Sequence, residues 1–178
     1  MITALLTLLS LSFAQTFERP CFVAGEDDML TSKIQITDSH WTVTHTAYVD
    51  EACKETYLVF ETTSKVKVEA QKIDQKIDMT TLEVSYVSTR DDVTRALNEI
   101  NFCGKQDWAT NHRQIVTGLQ CQDFAAPALG QVVYSIFQVK EQNGQTEARI
   151  GEASPAGDGS TADKRHAQLE MQPYYLTP

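Results

Sequence analysis

The sequence lacks most of the signatures that announce an enzyme or a nucleic-acid binder. It contains no G-x-S-x-G, no H-E-x-x-H and no phosphate-binding loop, so the usual hydrolase, metalloprotease and nucleotide scaffolds have no foothold. Positive charge is scarce: 15 Lys and Arg stand against 24 Asp and Glu, a formal net charge of −9. Such a surface repels phosphate backbones, which excludes nucleic acid as an expected partner and leaves solubility as the simplest role of the charge. The pair Lys164-Arg165 is too short to form a basic patch. No C-x-x-C occurs, and His40, His45, His112 and His166 have no ligand spacing, so no metal site and no cofactor are expected. Nothing after the first 14 residues approaches the roughly 20 consecutive apolar residues of a membrane-spanning helix.

What is present begins with an export signal. Ile2 to Phe13 is an uncharged apolar run, and the small residues Ser12 and Ala14 precede a cleavage expected after Ala14. The organisation read from this is a signal peptide over 1–14 and a single domain over 15–178, with a secreted or periplasmic location. All four cysteines, Cys21, Cys53, Cys103 and Cys121, lie in that domain. An even number in an exported chain points to disulfides. Three pairings are possible; the local, unnested one, Cys21–Cys53 with Cys103–Cys121, is preferred. Each bond would contribute roughly 3 kcal/mol in the chain-entropy treatment.

Alternation of period two dominates the rest. Ile34 and Ile36 alternate with Lys33, Gln35 and Thr37, and Asp38-Ser39 reads as a turn. Trp41, Val43, His45, Ala47 and Val49 then share one face, with Thr42, Thr44, Thr46 and Tyr48 on the other. Residues 56–63 are rich in β-branched and aromatic types, and alternation continues through Val66, Val68, Leu82, Val84 and Tyr86. Strands are expected again near 113–120, 131–140 and 145–151, with Asn143-Gly144 as a hairpin turn. Residues 152–163 read as a surface loop, and the aromatic tail 170–178 as a segment that closes the sheet. One stretch breaks the pattern. Val93, Ala96, Leu97 and Ile100 form a helical stripe within 90–103, with Thr89 or Asp91 as its cap and Gly104 beyond its end.

The expected fold is therefore mainly β: eight to ten antiparallel strands with one short helix near 90–103, arranged as a sandwich or an up-and-down barrel. Short connections favour a meander, and closure removes the exposed strand edges. Asp91 and Asp92 suit the first turn of a helix without any further role, and Gly157-Asp158-Gly159-Ser160 reads as a solvated turn. No carboxylate pair is specific enough to name as an acid and a base, so the chain is not expected to be an enzyme. The most distinctive segment runs from Cys103-Gly104-Lys105-Gln106-Asp107-Trp108 to Thr117-Gly118-Leu119-Gln120-Cys121. A disulfide, a turn glycine and a packing Trp make it a structural clasp.

Some of these residues resemble a known family. Cys21, Trp41 to Val49, Tyr48-Val49-Asp50 and Cys53 resemble the W…Y-x-D-x-x-C element of the ectodomain family of Wnt-pathway inhibitors named for down-regulation by adenomatosis polyposis coli. Trp108, Val116-Thr117-Gly118 and Cys121 resemble its later W…V-T-G…C element. The same segments resemble uncharacterised secreted bacterial proteins carrying C-G-x-x-D-W and V-T-G-x-x-C. The likeness covers roughly residues 21–137. It implies a lipocalin-like barrel with, in the animal members, a cavity for an acyl chain, and it implies no catalytic residues. The chain departs from the family in its single domain and in having no N-x-[ST] acceptor, so a Wnt partner is not carried over.

Two functions follow as expectations. The first is an exported barrel that binds an apolar or acylated small ligand, such as a lipid. Trp41, Val43, His45, Phe60, Val84, Tyr86, Tyr134 and Ile136 are its candidate lining residues. The second is a non-enzymatic interaction module (an inhibitor, adhesin or assembly factor) with a filled barrel, a protein partner and functional loops at 152–163 or 122–130. The shape of the barrel interior discriminates them.

Overall fold

The computed structural model describes residues 14–24, 28–69 and 74–177. The expected signal peptide, apart from Ala14, lies outside the described residues. The elements, in chain order, begin with a meander of five strands: β1 (Gln15–Ala24), β2 (Asp28–Ile36), β3 (Trp41–Tyr48), β4 (Thr56–Glu69) and β5 (Asp74–Ser88). Helix α1 (Asp91–Glu99) follows, then the short strands β6 (Arg113–Ile115), β7 (Gln120–Cys121) and β8 (Phe124–Ala125). The chain ends with β9 (Val132–Gln142), β10 (Gln145–Glu152), β11 (Gln168–Leu169) and β12 (Tyr174–Thr177).

Each of β1 to β5 pairs antiparallel with the next. β9 pairs with β5, β10 with β9, and β12 with both β10 and β1. The eight strands β1-β2-β3-β4-β5-β9-β10-β12 thus close on themselves in an antiparallel barrel with one short helix, as a lipocalin-like fold requires. Local chemistry explains the turns. Asn143 and Gly144 both have positive φ, 53° and 78°, the geometry of a two-residue hairpin that follows the strand twist. The Asp50 carboxylate accepts from the backbone N–H groups of Ala52, Lys54 and Glu55, which ties the β3–β4 connection. β1 is a strand that alternation did not reveal. Its pairing with β2 slips between Arg19 and Phe22, which places Pro20 at an irregularity where its missing N–H is tolerated.

The barrel is not uniform along its length. At one end Phe17, Ile34, Trp41, Ile77, Phe137, Ala148, Ile150 and Tyr174 fill the interior. The Trp41 and Phe137 rings meet edge to face at 4.7 Å. Burial of side chains of this size contributes about 1.5–3 kcal/mol each. At the other end β5 loses β9 as a neighbour. Asp74–Thr80 pair with β9, whereas Ser85–Val87 pair with the short β6. The segment from α1 to β8 lies beside that half of β5 and builds a second core of Val84, Tyr86, Leu97, Cys103, Trp108, Val116, Cys121 and Ala126.

This second core is the clasp expected from the sequence. Cys103 bonds to Cys121 and Cys21 to Cys53. Trp108 N–H donates to Asn98 Oδ1 at 2.8 Å, Asn98 Nδ2 returns a bond to Trp108 O at 3.0 Å, and Trp108 Nε1 donates to Phe102 O at 3.2 Å. The Thr117 hydroxyl accepts from Val84 N–H at 2.8 Å. The helix is shorter than expected: it stops at Glu99, because Asn101 and Cys103 adopt left-handed φ of 52°. Its N-cap is Arg90 and carries no side-chain cap bond, whereas Thr89 or Asp91 was expected there.

The loop after β10 has a structural role. Gly159 O accepts from Tyr134 N–H, and His166 N–H donates to Tyr134 O. The loop thereby serves β9 where β10 has turned away. Within it, Asp158 Oδ1 accepts from both the N–H and the hydroxyl of Ser160; these two residues are exposed, but Gly157 and Gly159 are buried against Arg165 and His166, so the turn read as solvated is packed on one side.

Candidate functional site

An interior pocket of about 330 Å³ opens at the looser end of the barrel, lined by Asp28, Leu30, His45, Ala47, Tyr57, Leu58, Phe60 and Tyr86. Strand register explains why these residues meet. Arg19 pairs with Ser32, Ser32 with His45, His45 with Phe60, and Phe60 with Tyr86. Paired residues share a face of the sheet, so this row runs across five strands on the same side as the buried Phe17, Ile34 and Val84. Leu30, Ala47 and Leu58 are in phase with the row and stand one step nearer the mouth.

One end of the row is aromatic. The His45 and Phe60 rings are nearly parallel, 9° apart with centroids at 5.9 Å. Phe60 lies 4.8 Å from Tyr86, and Tyr86 meets Phe102 at 5.6 Å and Trp108 at 6.5 Å. The clasp therefore supports the pocket wall from behind. Burial pushes the Tyr86 hydroxyl up to about 12, which keeps it neutral.

The other end is polar. His45 Nδ1 is 2.7 Å from the Ser32 hydroxyl. Burial, with a smaller contribution from the Arg19 charge, lowers the His45 pKa to about 4, so the imidazole is neutral at ordinary pH. Arg19 is 8% exposed and ion-paired with Glu170. It donates to Gln172 O at 2.8 Å, and its guanidinium stands 4.0 Å from the centre of the Tyr174 ring. Its Nε is buried without a hydrogen-bond partner. Burial raises the Glu170 carboxyl pKa even though the Arg19 charge pulls it down. Burial, helped by the Glu170 charge, pushes Tyr174 up to about 12.

Of the residues singled out from the sequence, His45, Phe60 and Tyr86 come together on this wall. Trp41 is buried in the packed end and Val43 lies against it, while Val84 is fully buried under the clasp. Tyr134 and Ile136 occupy the opposite phase of β9 from Ser135 and Phe137. Tyr134 sits beneath the Arg165 guanidinium at 5.3 Å, and Ile136 lies against Gly151. Sequence reasoning left out Asp28, Leu30, Ala47, Tyr57 and Leu58 of the lining, and Arg19 and Ser32 in the adjoining row. Ala47 was already on the His45 face and Leu58 shares the Phe60 phase, so alternation held that signal; Arg19 sits on the strand it did not reveal.

A second hollow of about 540 Å³ lies on the outside of β1–β3, with Glu18, Lys33, Thr44 and Tyr48 among its walls. Its walls mix polar and apolar surface. Among the described residues, no group of three or more His, Cys, Asp or Glu side chains is placed to hold a metal ion, and no helix is long and apolar enough to cross a membrane.

Fold and interior together define a lipocalin-like antiparallel barrel with a small internal pocket. No family model and no curated protein matches the chain.

Proposed function

We propose that this is an exported, non-catalytic carrier or receptor that binds one small apolar or acylated ligand inside its barrel. The observation that carries the reading is the pocket itself. About 330 Å³ of space bounded by Leu30, Ala47, Leu58, Phe60 and Tyr86 falls at the lower end of the range for small-molecule sites, roughly 300–1,000 Å³. The walls are mainly apolar, with His45 at the deeper end and Asp28 and Tyr57 at the mouth. Each methylene buried there contributes about 0.8 kcal/mol. The two disulfides suit an oxidising compartment, secreted or periplasmic. The resemblance to the acyl-binding ectodomain family supports the same reading.

The test is direct. Mature protein purified from its native compartment is extracted with solvent for mass spectrometry, and stripped protein is titrated with a fluorescent fatty acid. Co-purified lipid and saturable binding are expected. Neither lipid nor probe binding would replace this reading with the interaction module, whose surface would include the exposed Phe124, Ile115 and Leu129.

A further inference from the structure

The two disulfides sit in opposite surroundings. Cys103 and Cys121 are buried in the second core, 2% and 0% exposed, among Leu97 and Trp108. Cys21 is exposed and Cys53 half-buried. Cys21 stands in the irregular stretch of β1 between Arg19 and Phe22, and Cys53 in the connection 49–55 between β3 and β4. The bond therefore runs past β2, whose first residues share this end of the barrel with the pocket residues Asp28, Leu30, Ala47, Tyr57 and Leu58. Strands two places apart in a sheet are separated by about 9.5 Å. The Cα atoms of Cys21 and Cys53 are 5.9 Å apart. The connection is thus folded back toward β1, with Cys21 Sγ 3.4 Å from Glu51 O and Cys53 Sγ 3.9 Å from Leu30 O.

We propose that Cys21–Cys53 is a thiol–disulfide exchange site, opened by a dithiol reductant ahead of Cys103–Cys121, and that its opening frees the 49–55 connection and speeds exit of a ligand from the pocket. The last part rests on the reading of the pocket as a ligand site; the exchange itself does not. Exchange needs a thiolate to reach a disulfide sulfur. Cys21 offers that access, and neither cysteine of the clasp does. Attack forms a mixed disulfide on Cys21 and releases Cys53 as the thiolate. The second thiol of the reductant then displaces Cys21, and the reductant leaves as its own disulfide, having passed two electrons and two protons to the protein. The connection keeps its shape through the change, because the Asp50 carboxylate holds the N–H groups of Ala52, Lys54 and Glu55. So does the barrel: β1 stays paired with β2 on both sides of the irregularity, and with β12. What is lost is the covalent link between β1 and the connection, and with it the hold on the rim beside Leu30. The connection then moves as a body about its ends at Tyr48 and Thr56.

The unmodified, fully oxidised protein serves for the test, so folding of a variant does not limit it. It is treated with graded dithiothreitol at neutral pH without denaturant, quenched with an alkylating reagent and mapped by peptide mass spectrometry. Cys21 and Cys53 are expected to label about tenfold or more faster than Cys103 and Cys121. In the partly reduced protein, trypsin is expected to cut after the exposed Lys54 several-fold faster, and a bound fluorescent fatty acid to dissociate several-fold faster. The double variant Cys21→Ser, Cys53→Ser is expected to show both changes without reductant. Labelling of both pairs at one rate, or of Cys103 and Cys121 first, would overturn the exchange site. Selective reduction with unchanged cleavage would overturn the release of the connection, and faster cleavage with unchanged dissociation would overturn ligand exit alone. If the oxidised protein takes up no probe, the ligand reading falls and ligand exit with it, while labelling and cleavage still decide the rest.

Discussion

The two ends of the barrel are made from the same strands and treat their interiors differently. At the β9–β10–β12 end, eight buried side chains interlock around Trp41 and Phe137. At the other end the same alternation places Leu30, Ala47, Leu58 and Phe60 around a hollow. The difference comes from what stands opposite. β9, β10 and β12 complete the wall at the packed end, whereas the clasp flanks only β5 at the open end. A periodic sequence thus makes a core where a facing wall exists and a pocket where it does not.

The sharpest way to break this comparison is truncation at matched positions. Trp41→Ala is expected to cost about 3–5 kcal/mol, because the packed end leaves a cavity that cannot collapse. Leu58→Ala, at the pocket, is expected to cost less than half as much. Urea unfolding of the two variants measures both, and equal losses would show that the two ends are packed alike.

Next in size is a pH effect confined to the open end. Burial, with a smaller contribution from the Arg19 charge, lowers the His45 pKa in the folded barrel from its ordinary 6.5 to about 4. Between those values the unfolded chain binds the proton and the folded barrel does not. The contribution is therefore fully present above about pH 6.5, is lost as pH falls to about 4, and levels off below, for a total of about 3 kcal/mol. His45→Gln is expected to flatten that portion of the stability-versus-pH curve. An unchanged slope between the two proteins would mean that His45 is solvated.

Smaller again is the effect of filling the hollow. Leu58→Trp is expected to weaken binding of a fluorescent fatty acid about tenfold, with a stability change below about 1.5 kcal/mol; unchanged affinity would move the ligand elsewhere. The smallest effect belongs to the outer wall. Val139 is 45% exposed, and Val139→Thr is expected to shift stability by no more than about 0.5 kcal/mol and to leave ligand binding untouched.

Much of this architecture was legible before any coordinates. β3 and β5 announce themselves by alternation, β4 by its β-branched and aromatic residues, β9 and β10 by the Asn143-Gly144 turn between them, and the clasp by its cysteines and Trp108. β1 was not legible, since Pro20 and the slip between Arg19 and Phe22 erase its period. With it went Arg19 and the polar end of the site. Alternation also gives the face of a residue but not its height along the barrel axis. For that reason Trp41 and His45, in phase on one strand, fall in the core and the pocket respectively. On β9 both phases are apolar, because the loop that carries Arg165 and His166 covers the outside. The choice of Tyr134 and Ile136 over Ser135 and Phe137 had no sequence signal to correct it.

The seam between β1 and β12 joins residues far apart in the chain: the Thr177 hydroxyl donates to Thr16 O across a separation of 161. A nascent chain that stops short of Tyr174 cannot seal the cylinder, and its first strand keeps an unpaired margin open to neighbours. Contacts this remote form slowly. The polypeptide therefore stays loose until β12 is free to dock, and the finished vessel takes shape only then.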